Sequence, residues 1–184
     1  RYAEPLIIDT GIKETIITIS KNRIPNYKYI VSAFDESLDV AIEVLKQEGK
    51  IFVNTFQENQ PNLFCPFPLI GNENLDFPVV INSESFTPKE ERDGIWLSSE
   101  GYGLKNQPIF EKVVGQFYKL ILYASKANWK NTYLLLQHLK KEILISDFDR
   151  NWFKEKIQNP CKSLALFTPL VDTDKGERLP IKNE

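Results

Sequence analysis

The 184 residues contain no methionine, one histidine and two cysteines, and each shortage closes a route. A Ser-His-Asp or Cys-His catalytic arrangement would have to pass through His138, which sits beside leucines in a predicted helix and reads as a packed or solvent-edge residue. Cys65 and Cys161 have no partner pattern for zinc or for a disulfide framework, so two reduced, buried thiols in a cytoplasmic setting are expected. No apolar run approaches the roughly 18 residues of a membrane span, and "RYAEPLII" lacks a signal-peptide pattern. Net charge is −2, so no basic surplus points to nucleic acid. Glycine is scarce, and none of the eight forms a nucleotide-binding loop. A natural chain begins with methionine, so the expectation is a piece of a longer multidomain protein.

What is present is ordinary for a globular chain: 42% hydrophobic and 26% charged residues. The reading is a single α+β domain over 1–184, strand-rich over 1–97 and helix-rich over 98–168, with an extended tail at 169–184. Its mixed sheet comes from the N-terminal half and is covered by helices from the C-terminal half. "KETIITIS" (13–20) and "NYKYIVSAF" (26–34) are β-branched and aromatic strands. "LDVAIEVLKQ" (38–47) fits either period but precedes a Gly49 turn and "KIFVNTF", which favours a hairpin. "NLFCPFPLIG" (62–71) carries two prolines and is expected at an edge, and "FPVVIN" is the next strand.

Three helices follow. Residues 106–126 place Ile109, Val113, Val114, Phe117, Leu120, Ile121 and Ala124 on one stripe, with Asn106 or Gln107 as cap and Gly115 suggesting close packing. "NTYLLLQHLKKEIL" (131–144) is the second, and "DRNWFKEKIQ" (149–158) the third, stopped by Pro160. Asp147 and Asp149 before it are capping residues. "DTDKGE" (172–177) has its glycine one place early for a calcium loop and reads as a hairpin turn.

One stretch resists a plain reading. In "FPVVINSESFTPKEERDGIWL" (77–97), Arg92 stands between Glu91 and Asp93 on a polar connection anchored by apolar residues at both ends. As a solvated loop it would make ion pairs with those neighbours, contributing roughly 0–1 kcal/mol. As a functional loop it would deliver a planar, permanently charged donor to phosphate. Composition does not choose between them.

"INSESFTPKEERDG" resembles, without a gap, the catalytic-loop region of the middle domain in the large heat-shock chaperones, whose ATPase is of the GHKL (Bergerat) type. Ser83, Glu84, Phe86, Arg92 and Asp93 carry that likeness. Lys89, Glu90 and Glu91 replace the chaperones' Asn-Ile-Ser, and Trp96 replaces a glutamine. Phe64, Cys65, Pro68, Pro78, Asn82, Arg92 and Trp96 also resemble the region after the ATPase domain in sacsin and sacsin-like bacterial proteins. The resemblance implies a middle or transducer domain that completes the ATP site of a preceding domain of the same chain. Arg92 would contact the γ-phosphate, with Lys89 and Asn82 as accessory residues. ATP and magnesium would then belong to the parent protein, with no cofactor in this piece and a protein client as a further partner. The other class in view is a non-enzymatic interaction module, using the Pro61–Pro68 edge and displayed aromatics such as Tyr102, Trp129 and Trp152. A stand-alone hydrolase lacks a nucleophile, a metal cluster and a general base.

Overall fold

β-Branched and aromatic residues dominate the first half of the chain, and they pair there into one sheet. The computed structural model describes residues 3–21, 24–54, 60–70, 75, 77–140 and 148–182, excepting the side chains of residues 21 and 137–140. The strands are β1 (Leu6–Asp9), β2 (Ile12–Lys21), β3 (Ile24–Phe34), β4 (Asp39–Gln47), β5 (Lys50–Val53), β6 (Leu63–Cys65), β7 (Phe67–Pro68) and β8 (Val80–Asn82). Among the described residues they form an eight-stranded sheet in the order β1-β2-β3-β4-β8-β6-β7, with β5 also on β4. Only β6 and β8 pair in parallel, so the sheet is mixed. The fold is α+β, as the sequence pattern predicts.

Local chemistry sets the turns. Glu48 and Gly49 have φ of 50° and 72°, the two left-handed residues that a tight β4–β5 hairpin demands. Between β3 and β4, Asp35 accepts from the Ser37 amide at 2.8 Å, the Ser37 hydroxyl at 3.0 Å and the Leu38 amide at 3.0 Å. The proline-bearing β7 lies at the sheet edge, as expected.

Helix α1 (Gly103–Lys126) lies across the sheet and buries Phe110, Val113, Phe117, Leu120, Ile121 and Ala124 completely. Full burial of each large apolar side chain stabilises by about 2 kcal/mol. It begins three residues before the predicted start, at Gly103, which lies so close to the Ser98 backbone that a Cβ would stand 2.0 Å from the carbonyl oxygen. Gly115 does not serve close packing: apart from its own helix backbone, nothing lies within 4 Å of where its Cβ would be. The segment after α1 winds as a 3-10 helix (Thr132–Lys140), not an α-helix; Thr132 donates to the Leu170 carbonyl and so draws it onto the tail. The His138 side chain, residues 141–144 and Asp147 lie outside the described residues.

Asp149 caps α2 (Arg150–Phe153) by accepting from the Trp152 amide at 2.9 Å. Pro160 does not stop this helix. The chain passes through a π-turn (Lys154–Gln158) into α3 (Asn159–Phe167), with Pro160 in the first turn of α3, where a missing N–H is tolerated. The tail closes as a hairpin of β9 (Val171–Asp172) and β10 (Arg178–Leu179), with its turn at the "DTDKGE" stretch. Arg178 clasps this hairpin to α1: its Nε donates to Asp172 at 3.0 Å and its Nη1 to the Ala124 and Ser125 carbonyls at 3.2 Å. Trp129 is not displayed. Its amide closes on the Ala124 carbonyl at 3.0 Å, and its ring is fully enclosed, edge-on to Tyr123. Tyr102 is exposed, and Trp152 is half-buried with its indole donating to Glu111 at 2.8 Å.

The strand register separates two faces. Ile12, Val31, Ala33, Val40, Ile42 and Val44 share the helix-covered face and join the core. On the opposite face stand Ile7, Ile17, Ile19, Ile24, Ile30, Leu45 and Phe52, none of which joins that core.

The two helical glycines separate cleanly in an unfolding experiment. Gly115→Ala should raise stability by up to about 1 kcal/mol in urea denaturation. Gly103→Ala should lower it by about 2 kcal/mol or more, because neither the turn nor Ser98 has room to move.

Candidate functional site

Strand β8 delivers the chain into a tethered bend. The Ser83 amide donates to the Phe64 carbonyl at 3.1 Å, and its hydroxyl to the Ser37 carbonyl at 2.5 Å. Phe86 then turns inward against Phe110, with ring centroids 5.9 Å apart. Pro88 and Ile95 form an antiparallel bridge, and the Lys89 amide donates to the Gly94 carbonyl at 2.9 Å. Between those bars the Arg92 amide donates to the Lys89 carbonyl at 3.0 Å.

Arg92 has φ of 58°, in the left-handed region. A bend of this kind ordinarily places glycine or asparagine there, since a Cβ costs roughly 1–2 kcal/mol. The side chain is exposed and forms no ion pair with Glu91 or Asp93. Its guanidinium lies over the Phe67 ring, 4.8 Å from the centroid. The surface ion pairs of a plain solvated loop are therefore not what holds this arginine.

The other two candidates are placed differently. Lys89 shares the bend, but its side chain is buried with its ammonium 5.2 Å from the Trp96 ring centroid. Asn82, half-buried at the end of β8, lines an open cleft of about 340 Å³ together with Lys13, Asp35, Asp39, Ser83 and Glu84. Neither Arg92 nor Lys89 lines that cleft. Lys13 is closed on Asp39 at 2.8 Å, which leaves the cleft with an acidic excess. Burial pushes the Asp35 carboxyl up, but bonds from Ser37, Gln116 and Leu38 together hold it below its ordinary value. Structure thus brings Arg92 and Lys89 onto one bend and puts Asn82 in a separate acid-rich hollow.

Asn106, read from the sequence as a helix cap, is the residue that holds the bend. Its side chain is fully buried; Oδ1 accepts from the Thr87 amide, and Nδ2 donates to the Thr87 and Trp96 carbonyls, all at 2.9 Å. Gln107 adds bonds to the Leu97 and Ser98 carbonyls at 3.2 and 3.1 Å. A signal was present in the sequence: Asn106 falls four residues before Phe110 on the buried stripe, and a polar group there must have partners.

Both thiols are chemically quiet. Burial raises the Cys65 thiol, which bonds the Phe86 carbonyl at 3.2 Å, and burial likewise raises Cys161. Among the described residues no group of three or more His, Cys, Asp or Glu side chains converges as a metal site would require. No family model, curated protein or solved structure matches the chain.

Two substitutions test this construction. Asn106→Ala should cost about 2–4 kcal/mol in urea denaturation, since it strips three bonds from buried groups. Arg92→Gly should be more stable than Arg92→Ala by about 1 kcal/mol, because only glycine relieves the left-handed backbone. Equal stabilities would mean that the bend relaxes away from that conformation.

Proposed function

We propose that this chain is the coupling segment of a sacsin-like or chaperone-like GHKL ATPase. A preceding unit of the same protein binds ATP and magnesium, and this segment docks against it when the triphosphate is in place. Arg92 then donates to the γ-phosphate, so nucleotide state and domain arrangement become linked. The single observation that carries this reading is an exposed guanidinium on a braced, left-handed bend, without an ion pair to either acidic neighbour.

Three points support it. Backbone strain of this kind concentrates at functional positions, where another residue would be more stable. A guanidinium resting on an aromatic ring is held by about 0.5–1 kcal/mol, so transfer to a phosphate breaks no strong bond. The ordered residues Ser83, Glu84, Phe86 and Arg92 match the chaperone loop in spacing. Lys89 contributes to the bend through its ammonium over the Trp96 ring, and the Asn82 cleft, with its acidic excess, suits a docking contact better than a phosphate.

A second reading, a non-enzymatic interaction module, is favoured by a separate observation: the aliphatic sheet face that no described helix covers.

The segment alone should show no ATP hydrolysis. In a longer chain that includes the nucleotide-binding unit, Arg92→Ala should lower turnover at least tenfold, and by 10² or more if it acts as an arginine finger. The nucleotide dissociation constant should stay within about threefold, because binding contacts lie in the other unit. Unchanged turnover in that variant refutes the arginine assignment.

A further inference from the structure

Phe67 stands between Pro66 and Pro68. A residue before proline is restricted to extended backbone, and each proline fixes its own φ, so few conformations are open here. Pairing narrows them further. Phe67 registers with Cys65 across β7 and β6, and two residues on the Leu69 amide closes on the Leu63 carbonyl at 3.0 Å, with Leu69 fully buried. The Phe67 ring is half-buried against the core, and the Arg92 guanidinium lies over it.

Ring and bend hang from the same strand. The Phe64 carbonyl accepts from the Ser83 amide where β8 gives way to the bend, and the Cys65 thiol donates to the Phe86 carbonyl. With β8 on one edge and β7 on the other, β6 therefore sets the position of both.

The shape of a guanidinium gives this arrangement its use. Its five N–H donors lie in the plane, at the edge, and its flat face is separate from them. A carboxylate takes the edge, often with two bonds, and so occupies the donors that a phosphate needs. An aromatic face attracts the charge without accepting those bonds. Glu90, Glu91 and Asp93 are all exposed around Arg92. Even so, its side chain makes no hydrogen bond or ion pair among the described residues, and Phe67 is where it rests.

We infer that Phe67 is a positioning residue for Arg92: the ring holds the guanidinium off the neighbouring acids, with its donors unpaired until the γ-phosphate arrives. This rests on the reading of Arg92 as the phosphate contact.

Two measurements test it. In the 184-residue chain the Arg92 Nε–H resonance, identified by its loss in Arg92→Ala, should carry the ring-current shift of a group over an aromatic face. Phe67→Leu should abolish that shift and Phe67→Tyr should keep it. Leucine preserves an apolar contact with the core, and a melting curve checks that the variant is folded. An unshifted Arg92 resonance in the unsubstituted chain overturns the inference, whatever the activity.

In the longer chain that includes the nucleotide-binding unit, Phe67→Leu should lower kcat about two- to fivefold, the factor to which a contact of this kind converts. The nucleotide dissociation constant should not move, and Phe67→Tyr should restore turnover. Phe67→Leu added to Arg92→Ala should slow turnover no further than Arg92→Ala alone, because the ring acts only through the arginine. Additive losses in the double variant, or full turnover in Phe67→Leu where Arg92→Ala is slow, overturn the positioning role and leave the arginine contact standing. Full turnover in Arg92→Ala overturns the arginine contact, and the positioning role with it.

Discussion

One buried carboxamide organises the part of this molecule that carries the Arg92 bend. Asn106 bonds Thr87 on one flank of the Arg92 bend and Trp96 on the other, from a fully enclosed position on α1. In an apolar surrounding each unmade bond would cost roughly 1–3 kcal/mol, so helix, bend and strand end are compelled to keep one arrangement. The bend therefore inherits the rigidity of the helix. An exposed cation on an ordinary loop samples many positions, whereas this one starts from a backbone fixed at both flanks.

The polar groups are distributed with a sense of place. One end of the sheet holds the acid-rich hollow bounded by the Asp35 turn and the residues after β8. The Arg92 bend, only a few residues further along the chain, presents a cation resting on Phe67. The bend is not a cationic surface as a whole, since Glu90, Glu91 and Asp93 are exposed around Arg92.

Much of the fold could be read from local chemistry, and the failures have a common cause. β2, β3 and β4 were recognisable from β-branched residues and the Glu48–Gly49 turn, because a hairpin is set by neighbours in sequence. Proline placed the β7 edge by removing a donor. What went unseen lies in hydrogen bonding that residue type and periodicity do not specify. The Trp129 amide closes on Ala124 past the end of α1; a π-turn carries the chain through to Pro160; Asn106 has partners ten and nineteen residues away. At the candidate site, the arginine itself was evident from its acidic neighbours and apolar anchors. Its left-handed backbone and its seat on Phe67 were not, since both follow from the Pro88–Ile95 bridge. The expected stripe on α1 was nearly right, but Phe110 takes the inner position that Ile109 and Val114 only flank.

The clasp that Arg178 makes on the Ala124 and Ser125 carbonyls gives α1 the mechanics of a lever. From Ala124 to Asn106 the helix is a stiff rod about 27 Å long. A tilt of roughly five degrees at the clasped end would carry Asn106 about 2.4 Å, several times the roughly 0.5 Å range of a hydrogen-bond length, so the three Asn106 bonds forbid such a tilt. The C-terminal hairpin and the arginine bend are thus pinned to opposite ends of one packed element, which fixes the distance between them.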